Sequence, residues 1–543
     1  MFGITTAICL VFLTFFLCVV KPIWYYFKDP GGLRKYPALN PLCGITNFAY
    51  AWEVRKGFRS KALYQAHQRH RVIRLGPRSL SFGHIAAIKD IYGHGSPFVK
   101  DDHYSVQAGT HFHLADVINK QEHQKKRKIL SSAYALKNLE SWEYKVADKV
   151  DKTLAQFDRL CTAPLKAGAR PLPHEVNVNY RMWTNFFTID AIADIGLSEQ
   201  LGFLVNGNDR VVACGPNDVS REVCYRDSLH GTAKSSSALV WSSDNFTLLK
   251  RVMPLVSRRY YTWAQNEKDY NDVIYNLVQR RLERHRKGEK LNDFFTSLME
   301  DRNGSAHGLE LGEIKAEVGI MSGSSQIMLN RRYRNAKLHS VNAGSDTTAI
   351  AMTNALYHLL RNPAKLHRLQ SELSSVLPSP TTKTNVKDAI ASYDSVRHLP
   401  YLRAVLDESL RLTPPTAFGL LRKSPPEGAV VCDHFIPGNT TVSVSSYVAH
   451  RDPDVFPDPE SFIPERWLES KARDLQESFI AFSAGARGCI GRNISYLEQS
   501  MLLATVVNRY GFALPYPDWE IERLETFNLW PGNLWIKMWR RDA

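Results

Sequence analysis

The stretch Phe482-Ser483-Ala484-Gly485-Ala486-Arg487-Gly488-Cys489-Ile490-Gly491 constrains this chain more than any other. Its glycines and small residues let the backbone lie flat against something large, and Phe482 can pack on that object. Arg487 offers a fixed cation. Cys489 stands just ahead of a helical pattern over residues 492–507, where the partial positive charge of a helix amino terminus favours a thiolate. Such a loop suits a thiolate facing a planar, anionic cofactor. The other cysteines, Cys9, Cys18, Cys43, Cys161, Cys214, Cys224 and Cys432, make no C-x-x-C pair and no regular spacing. They read as small buried apolar side chains, not as a disulfide framework or a zinc site.

The amino terminus reads as an anchor. Residues 2–20 carry no charge, and at about 1.5 Å per residue such a run nearly crosses a ~30 Å hydrocarbon core. Trp24, Tyr25 and Tyr26 extend it into the interface. A cleaved signal would need a basic start and a small-x-small site, which Met-Phe-Gly and Cys18-Val19-Val20-Lys21-Pro22 lack. Lys21, Lys28, Arg34 and Lys35 follow the span and none precedes it, which predicts a cytosolic body. The sequence therefore predicts a single-pass anchor over residues 1–27, a Pro/Gly linker over 28–45 that hinges the body to the membrane, and a folded body over 46–543.

In the body, helical patterns dominate, as over residues 270–287 and 349–360. Residues 441–446 read as a short strand, and residues 527–539 as two strands around the turn Pro531-Gly532-Asn533. The fold class is mainly α with minor β, preceded by one transmembrane helix. A formal charge of +15 suits nucleic acid, an anionic membrane or an acidic partner. The basic residues are spread out, and the densest run, Lys125-Lys126-Arg127-Lys128, lies in a helical segment, so nucleic acid is not the expected partner.

Three further segments bear on chemistry. Glu408-Ser409-Leu410-Arg411 puts opposite charges on one helical face, a pattern that alone is worth only a few tenths of a kcal/mol. Ala343-Gly344-Ser345-Asp346-Thr347-Thr348 places an acid beside an alcohol. His123 and Arg127 form an i,i+4 pair.

The loop at 482–491 matches, at every fixed position, the haem-binding loop F-x-x-G-x-R-x-C-x-G, and the chain is identified by it as a member of the cytochrome P450 family. The remaining segments resemble that family in the same order, from about Tyr36 to the end. Glu408 and Arg411 resemble the E-x-x-R helix, and Pro464-Glu465-Arg466-Trp467 resembles the P-E-R-F element with Trp for Phe. The resemblance implies a cytochrome P450 fold and haem b with Cys489 as axial iron ligand, the thiolate donating electron density to promote O–O cleavage. It implies further that Phe482, Gly485, Arg487 and Gly491 shape the cofactor loop, while His123, Arg127 and Arg422 meet the haem propionates. Glu408, Arg411 and Arg466 would form a buried brace for that loop. Gly344 would leave room for dioxygen, and Asp346 and Thr347 would relay protons.

Asp29 to Pro37, Ala449-His450-Arg451-Asp452 and Phe527-Asn528-Leu529-Trp530-Pro531-Gly532 look most like fungal enzymes of the benzoate para-hydroxylase and pisatin demethylase group, including hydroxylases of small phenolic polyketides. The implied function is hydroxylation of a small aromatic or polyketide-derived substrate in fungal secondary metabolism, with O2 and NADPH-derived electrons. The implied partners are NADPH-cytochrome P450 reductase, cytochrome b5 as a second electron donor, the small-molecule substrate and the lipid of the endoplasmic reticulum membrane. The same motifs leave open an oxygen-independent haem-thiolate isomerase or dehydratase. Substrate contacts are expected from residues 98–117, from the strand after Pro415 and from residues 530–534, with His103, His111 and His113 read as solvated loop histidines.

One segment breaks the family pattern. Residues 311–321 begin the oxygen-side helix with Glu313, Lys315 and Glu317 on its polar side, but residues 322–340 bring Ser-Gly-Ser-Ser and Asn-Arg-Arg-Tyr-Arg-Asn where a buried helix is apolar. Joining Met321 to Val341 restores Gly-Ile-Met-Val-Asn-Ala-Gly-Ser-Asp. Nineteen residues do not make whole turns, so a continuous helix through them turns its two halves out of register by roughly a quarter turn. They read as a retained intron or a looped insertion, and a genuine insertion leaves open an inactive haem-binding protein.

Overall fold

The computed structural model describes residues 15–106, 111–166, 168–215, 219–241, 243–300, 304–305, 307–322, 343–379, 389–470 and 472–541. Helices predominate. Those that frame the site are α1 (Ala86–Tyr92), α2 (Lys120–Ala133), α3 (Tyr180–Leu197), α4 (Tyr225–Leu239), α5 (Leu311–Ser322), α6 (Asp346–Arg361), α7 (Pro400–Leu412) and α8 (Arg492–Arg509).

Local sequence explains their limits and depth. α3 carries Trp183, Phe186, Phe187, Ile189, Ile192 and Ile195 together with Arg181, Asn185, Asp190 and Asp194, and nearly all of its residues are buried. α6 opens on Asp346, whose charge complements the helix amino terminus, and stops at Asn362, whose successor Pro363 disfavours a helical residue before it. α7 carries Pro400 in its first turn and ends before Pro414-Pro415. α6 packs against α3, α7 and α8, and the main apolar core lies among these helices.

The sheets sit at the periphery. Strands β1 (Val72–Gly76), β2 (Ser79–Phe82), β3 (Val99–Lys100), β5 (Arg422–Lys423) and β6 (Thr441–Val444) form one sheet in the order β1-β2-β6-β5-β3, with only β2 and β6 parallel. β4 (Val178–Asn179), β7 (Tyr510–Ala513) and β10 (Trp535–Arg540) form a second, and β8 (Arg523–Glu525) and β9 (Leu529–Pro531) a third.

Mainly helical structure with minor sheet is as expected, and three local expectations change. The two strands of residues 527–539 exist but do not pair with each other: β9 pairs with β8, while β10 pairs with β7 and β4. Asn533 is drawn instead towards β4, its side-chain oxygen accepting from Asn179 at 3.0 Å. His103 and His113 are buried, not solvated: His113 meets Asp116 at 2.8 Å, and His103 lies 5.1 Å from the Trp241 ring. Glu317 is buried as well, with Lys126 at 3.7 Å and the Leu114 N–H donating to it, so it does not lie on a solvent face.

Among the described residues no helix is long and apolar enough to cross a membrane. Residues 1–14 of the expected anchor lie outside the described residues, as do residues 323–342, which hold nearly all of the irregular segment. The Pro/Gly segment after the anchor is docked from Leu33 onward. Leu33 and Tyr36 are buried against Val72, Leu80 and Ile436, and Pro37 and Leu39 bond to the Arg74 backbone at 2.8 and 3.0 Å.

Candidate active site

The cysteine loop is folded by its own backbone. The Cys489 N–H donates to the Phe482 carbonyl at 2.8 Å and the Gly488 N–H to the Gly485 carbonyl at 3.0 Å. Gly485 is left-handed, with φ +63°, and a Cβ there would run into the Tyr92 carbonyl, so only glycine lets the loop lie against α1. Arg487 donates to the carbonyls of Val117 and Ile118 at 2.7 and 2.9 Å, and Arg127 of α2 donates to the Gly488 carbonyl at 2.6 Å. α8 begins at Arg492, three residues beyond Cys489.

Cys489 is exposed and lines a cavity. Burial pushes its thiol pKa up, while the backbone N–H groups of Gly491 and Arg492 and the charges of Arg127 and Arg492 pull it down. Gly491 lies beside the sulfur, where a Cβ would make an ordinary 4.0 Å contact with it. Phe482 lines the same cavity, its ring 5.2 Å from Tyr496.

One edge of the cavity is cationic. His123 and Arg127 from α2, Arg422 from β5 and Arg487 from the loop all line it, and Lys100 from β3 joins them. Burial lowers the His123 pKa to about 3, and Arg487, Lys100, Arg127 and Arg422 add to the effect, so its ring is neutral. Burial, Arg422 and Arg127 bring Arg487 down to about 10. Arg422 sits 5.0 Å over the Tyr92 ring, and its neighbours include the Tyr104 hydroxyl. Among the described residues, the hydrogen bonds of Arg127 and Arg487 go to backbone carbonyls, and neither they nor Arg422 forms an ion pair with a carboxylate. Asp116 and Glu317 also line the cavity, but the half-buried Arg127 and Arg487 and the buried Arg422 form no ion pair with them among the described residues, and such cations fit a cofactor with an anionic edge.

Another wall is formed by Ala343, Gly344, Thr347, Thr348 and Ala351. Thr347 donates its hydroxyl to the Ala343 carbonyl at 2.8 Å. Of the acid and alcohol, only Thr347 lines the cavity. Asp346 turns to the far side of α6, where Oδ1 takes Arg181 at 2.8 Å and lies 3.5 Å from His230, while Oδ2 takes Asn528 at 3.0 Å and Trp530 at 2.6 Å. Burial raises its carboxyl pKa, but His230, Arg181 and Asn528 outweigh it and hold the group well below the usual carboxylate range. Asp346 is thus a clamped anion and not an acid free to face a ligand. Trp530, in a segment expected to touch substrate, serves this clamp; Phe527 lines the cavity in its place.

Glu408, Arg411 and Arg466 meet in one buried cluster, and two further side chains join it. Arg411 donates to both oxygens of Glu408 at 2.8 and 3.0 Å, and Arg466 to one at 3.2 Å. Trp467, where related sequences carry Phe, adds an indole N–H to Glu408 Oε2 at 2.9 Å. His450 links the brace to the loop: its Nδ1 meets the Arg411 carbonyl at 3.1 Å and its Nε2 accepts the Ile480 N–H at 2.9 Å. The Trp signal was visible as a departure from the family pattern, whereas the reach of His450 depends on tertiary placement alone.

Much of the rest of the lining is apolar, including Leu130, Ile192, Phe294 and Phe418, with Asp116 and Glu317 as its acidic members. A flat, dianionic, sulfur-ligated group therefore fits these walls: a soft ligand at one side, cations at an edge, aromatic surface around. The cytochrome P450 family model matches residues 328–532. Benzoate 4-monooxygenase of Aspergillus niger is 26% identical over 519 residues, 94% of this chain and 93% of its own length. Cytochrome P450 monooxygenase cicH of Emericella nidulans is 28% identical over 559 residues, covering 98% of this chain and 99% of its own. Pisatin demethylase of Fusarium vanettenii is 27% identical over 507 residues, 91% and 87% of the two chains. These matches support the cytochrome P450 family for this chain. It is a monooxygenase of that family, its cofactor is haem, and its reaction takes a small molecule and electrons from a redox partner.

Proposed function

We propose that this chain is a membrane-bound haem-thiolate monooxygenase that hydroxylates a small aromatic or polyketide-derived substrate in fungal secondary metabolism, using O2 and electrons from NADPH. The observation that carries this reading is one cavity lined by Cys489, Thr347 and the cationic edge of His123, Arg127, Arg422 and Arg487. Bound haem supplies a redox-active iron able to activate O2. Cys489 would hold its iron through the sulfur. Arg127, Arg422, Arg487 and the neutral His123 hold its anionic edge, with Gly485 and Gly491 keeping the loop close and Phe482 packing beside it. Gly344 would leave space for dioxygen, and the Thr347 hydroxyl would relay a proton from water into the cavity while Asp346 fixes the start of α6. Glu408, Arg411 and Arg466 brace the loop from behind.

Electrons come from NADPH-cytochrome P450 reductase, with cytochrome b5 as a second donor. The exposed Lys120, Lys125 and Lys128 of α2 share a helix with Arg127, which touches the cysteine loop, and they offer an acidic partner a basic face there. Residues 1–27 anchor the chain in the endoplasmic reticulum with the body in the cytosol, a reading supported by the uncharged run at 2–20 and the exposed Trp24 and Phe27. Residues 28–45 connect that anchor to the catalytic body at 46–543, and residues 322–340 are a retained intron. The aromatic compounds in the names of two relatives support the substrate class.

The test is Cys489→Ala. The wild-type protein should give the thiolate type of carbon monoxide difference spectrum, and the variant should lose it. An unaltered Soret spectrum in the variant would overturn the assignment. Feeding small aromatic acids, cresols and polyketide intermediates, with and without NADPH, then tests the substrate class.

A further inference from the structure

Two acids that line the cavity have no part in holding haem. Glu317 of α5 and Asp116, in the stretch between β3 and α2, are only 3% and 6% exposed, so both acids face the cavity and not the solvent. Glu317 Oε2 accepts the Leu114 N–H at 3.2 Å. Its other oxygen, Oε1, is buried and accepts no hydrogen bond among the described residues. Lys126 of α2 stands 3.7 Å from it, and the Lys126 ammonium bonds Glu313 instead, at 2.8 Å. A buried acceptor left without a donor costs about 1–3 kcal/mol, and a ligand that brings the donor recovers that cost.

The surrounding charges decide which donor fits. Asp116 is the second acid, with His113 at 2.8 Å, while Lys126 from α2, Lys100 from β3 and Tyr134 also lie near Glu317. Burial raises the Glu317 pKa and Asp116 adds to it, whereas His113, Lys126 and the Leu114 N–H pull it down. A carboxylate entering here would meet two acids, and an ammonium would meet two lysines. A neutral donor meets no like charge. The same cavity is walled by Leu130, Ile192, Phe294 and Phe418, which suit a ring. A phenol supplies both parts.

We propose that Glu317 Oε1 accepts a hydrogen bond from the hydroxyl of a phenolic substrate, and that this contact selects phenols over their ethers and over aromatic acids. The proposal rests on the haem-thiolate reading above and narrows its substrate class. A purely structural role for Glu317 would need only Oε2, which holds the Leu114 N–H, and gives no reason for discrimination between ligands.

The experiment compares purified full-length wild type with Glu317→Leu and with Glu317→Gln, which keeps an acceptor for the Leu114 N–H. The ligands are p-cresol, its methyl ether 4-methylanisole, and 4-methylbenzoate, which share a methylated ring. Binding is read by equilibrium dialysis, which needs no haem signal. Wild type should bind p-cresol more tightly than the ether by roughly fivefold or more, the size of one buried hydrogen bond, and should bind the acid most weakly. Glu317→Leu should erase the preference for p-cresol by weakening the phenol alone. Glu317→Gln should shrink that preference and leave the ether near its wild-type Kd, because an amide oxygen accepts more weakly than a carboxylate. The proposal is overturned if wild type binds no p-cresol, if it binds the ether or the acid as tightly as the phenol, or if phenol and ether weaken alike in Glu317→Gln. Should Glu317→Leu fail to fold, the ratio of phenol to ether in Glu317→Gln decides. Absence of a thiolate spectrum in wild type would instead sink the Cys489 assignment and leave the dialysis comparison readable.

Discussion

Asp346 and Arg181 meet at 2.8 Å in a place closed to solvent, joining the start of α6 to the start of α3. Removing one partner of such a pair leaves the other charge buried and uncompensated, which costs about 3–5 kcal/mol. Arg181→Met should therefore lower the free energy of unfolding by about that amount, read from urea denaturation. The sign of the pH dependence follows from the depressed carboxyl pKa. The stabilisation is fully present above the unfolded value of about 4 and is lost as the pH falls towards the folded value, so the deficit of the variant is largest near neutrality and shrinks in acid.

Trp467 makes a second, smaller prediction. Its indole N–H is one of the donors that satisfy the fully buried Glu408. Trp467→Phe leaves Oε2 with Arg411 alone and opens space beside it. The expected cost is about 1–3 kcal/mol, checked by denaturation of the haem-loaded protein. Glu408→Gln should cost more, because it strands Arg411 and Arg466 together.

The sequence carried those features whose cause is local. The cysteine loop, the helices α6, α7 and α8 and the pairing of Glu408 with Arg411 follow from glycine placement, helix punctuation and an i,i+3 spacing, and all were legible. What failed depended on which face of an element meets which neighbour. Asp346 and Thr347 are adjacent in sequence and so point in different directions from a helix, and only tertiary structure says that Thr347 gets the cavity and Asp346 the clamp. Trp530 was visible as part of a turn, but its partner lies 184 positions away. Lys100, His103, His113 and Glu317 were misjudged or passed over for one reason: polar residues in loops and on helix faces are usually solvated, and here the residues around 98–117 fold inward.

His450 supplies a prediction about acid. Burial and the charge of Arg411 bring its pKa down to about 3, and the neutral ring holds the Ile480 N–H two residues ahead of Phe482. Above an unfolded pKa of about 6.5 the folded and unfolded rings are both neutral and nothing is lost. As the pH falls from there towards the folded value, the unfolded chain takes up a proton that the folded chain refuses, and stability declines by about 1.4 kcal/mol per pH unit for this group. His67 and His103 behave alike, at about 4 and 3, so the protein should be markedly acid-labile. His450→Gln should lower stability at neutral pH and reduce the slope of stability against pH between about 6 and 4 by close to one proton.

The irregular segment yields the last prediction. α5 ends at Ser322 and α6 begins at Asp346, and the residues needed for an uninterrupted apolar helix are present once 322–340 are left out. With them in place, the register between Glu317, on the α5 side, and Thr347, on the α6 side, shifts by roughly a quarter turn if the helix runs through. That is enough to move a side chain from a cavity wall to its flank. A chain lacking residues 322–340 should bind more haem per polypeptide and turn over faster than the full sequence, measured from the pyridine haemochrome and from NADPH-dependent product formation. A shortened chain that binds no haem, beside a full-length chain that does, would make the segment part of the working fold and rule out the intron. Sequencing the mature transcript checks the same point independently, since a message encoding Arg331-Arg332 in active protein has the same consequence.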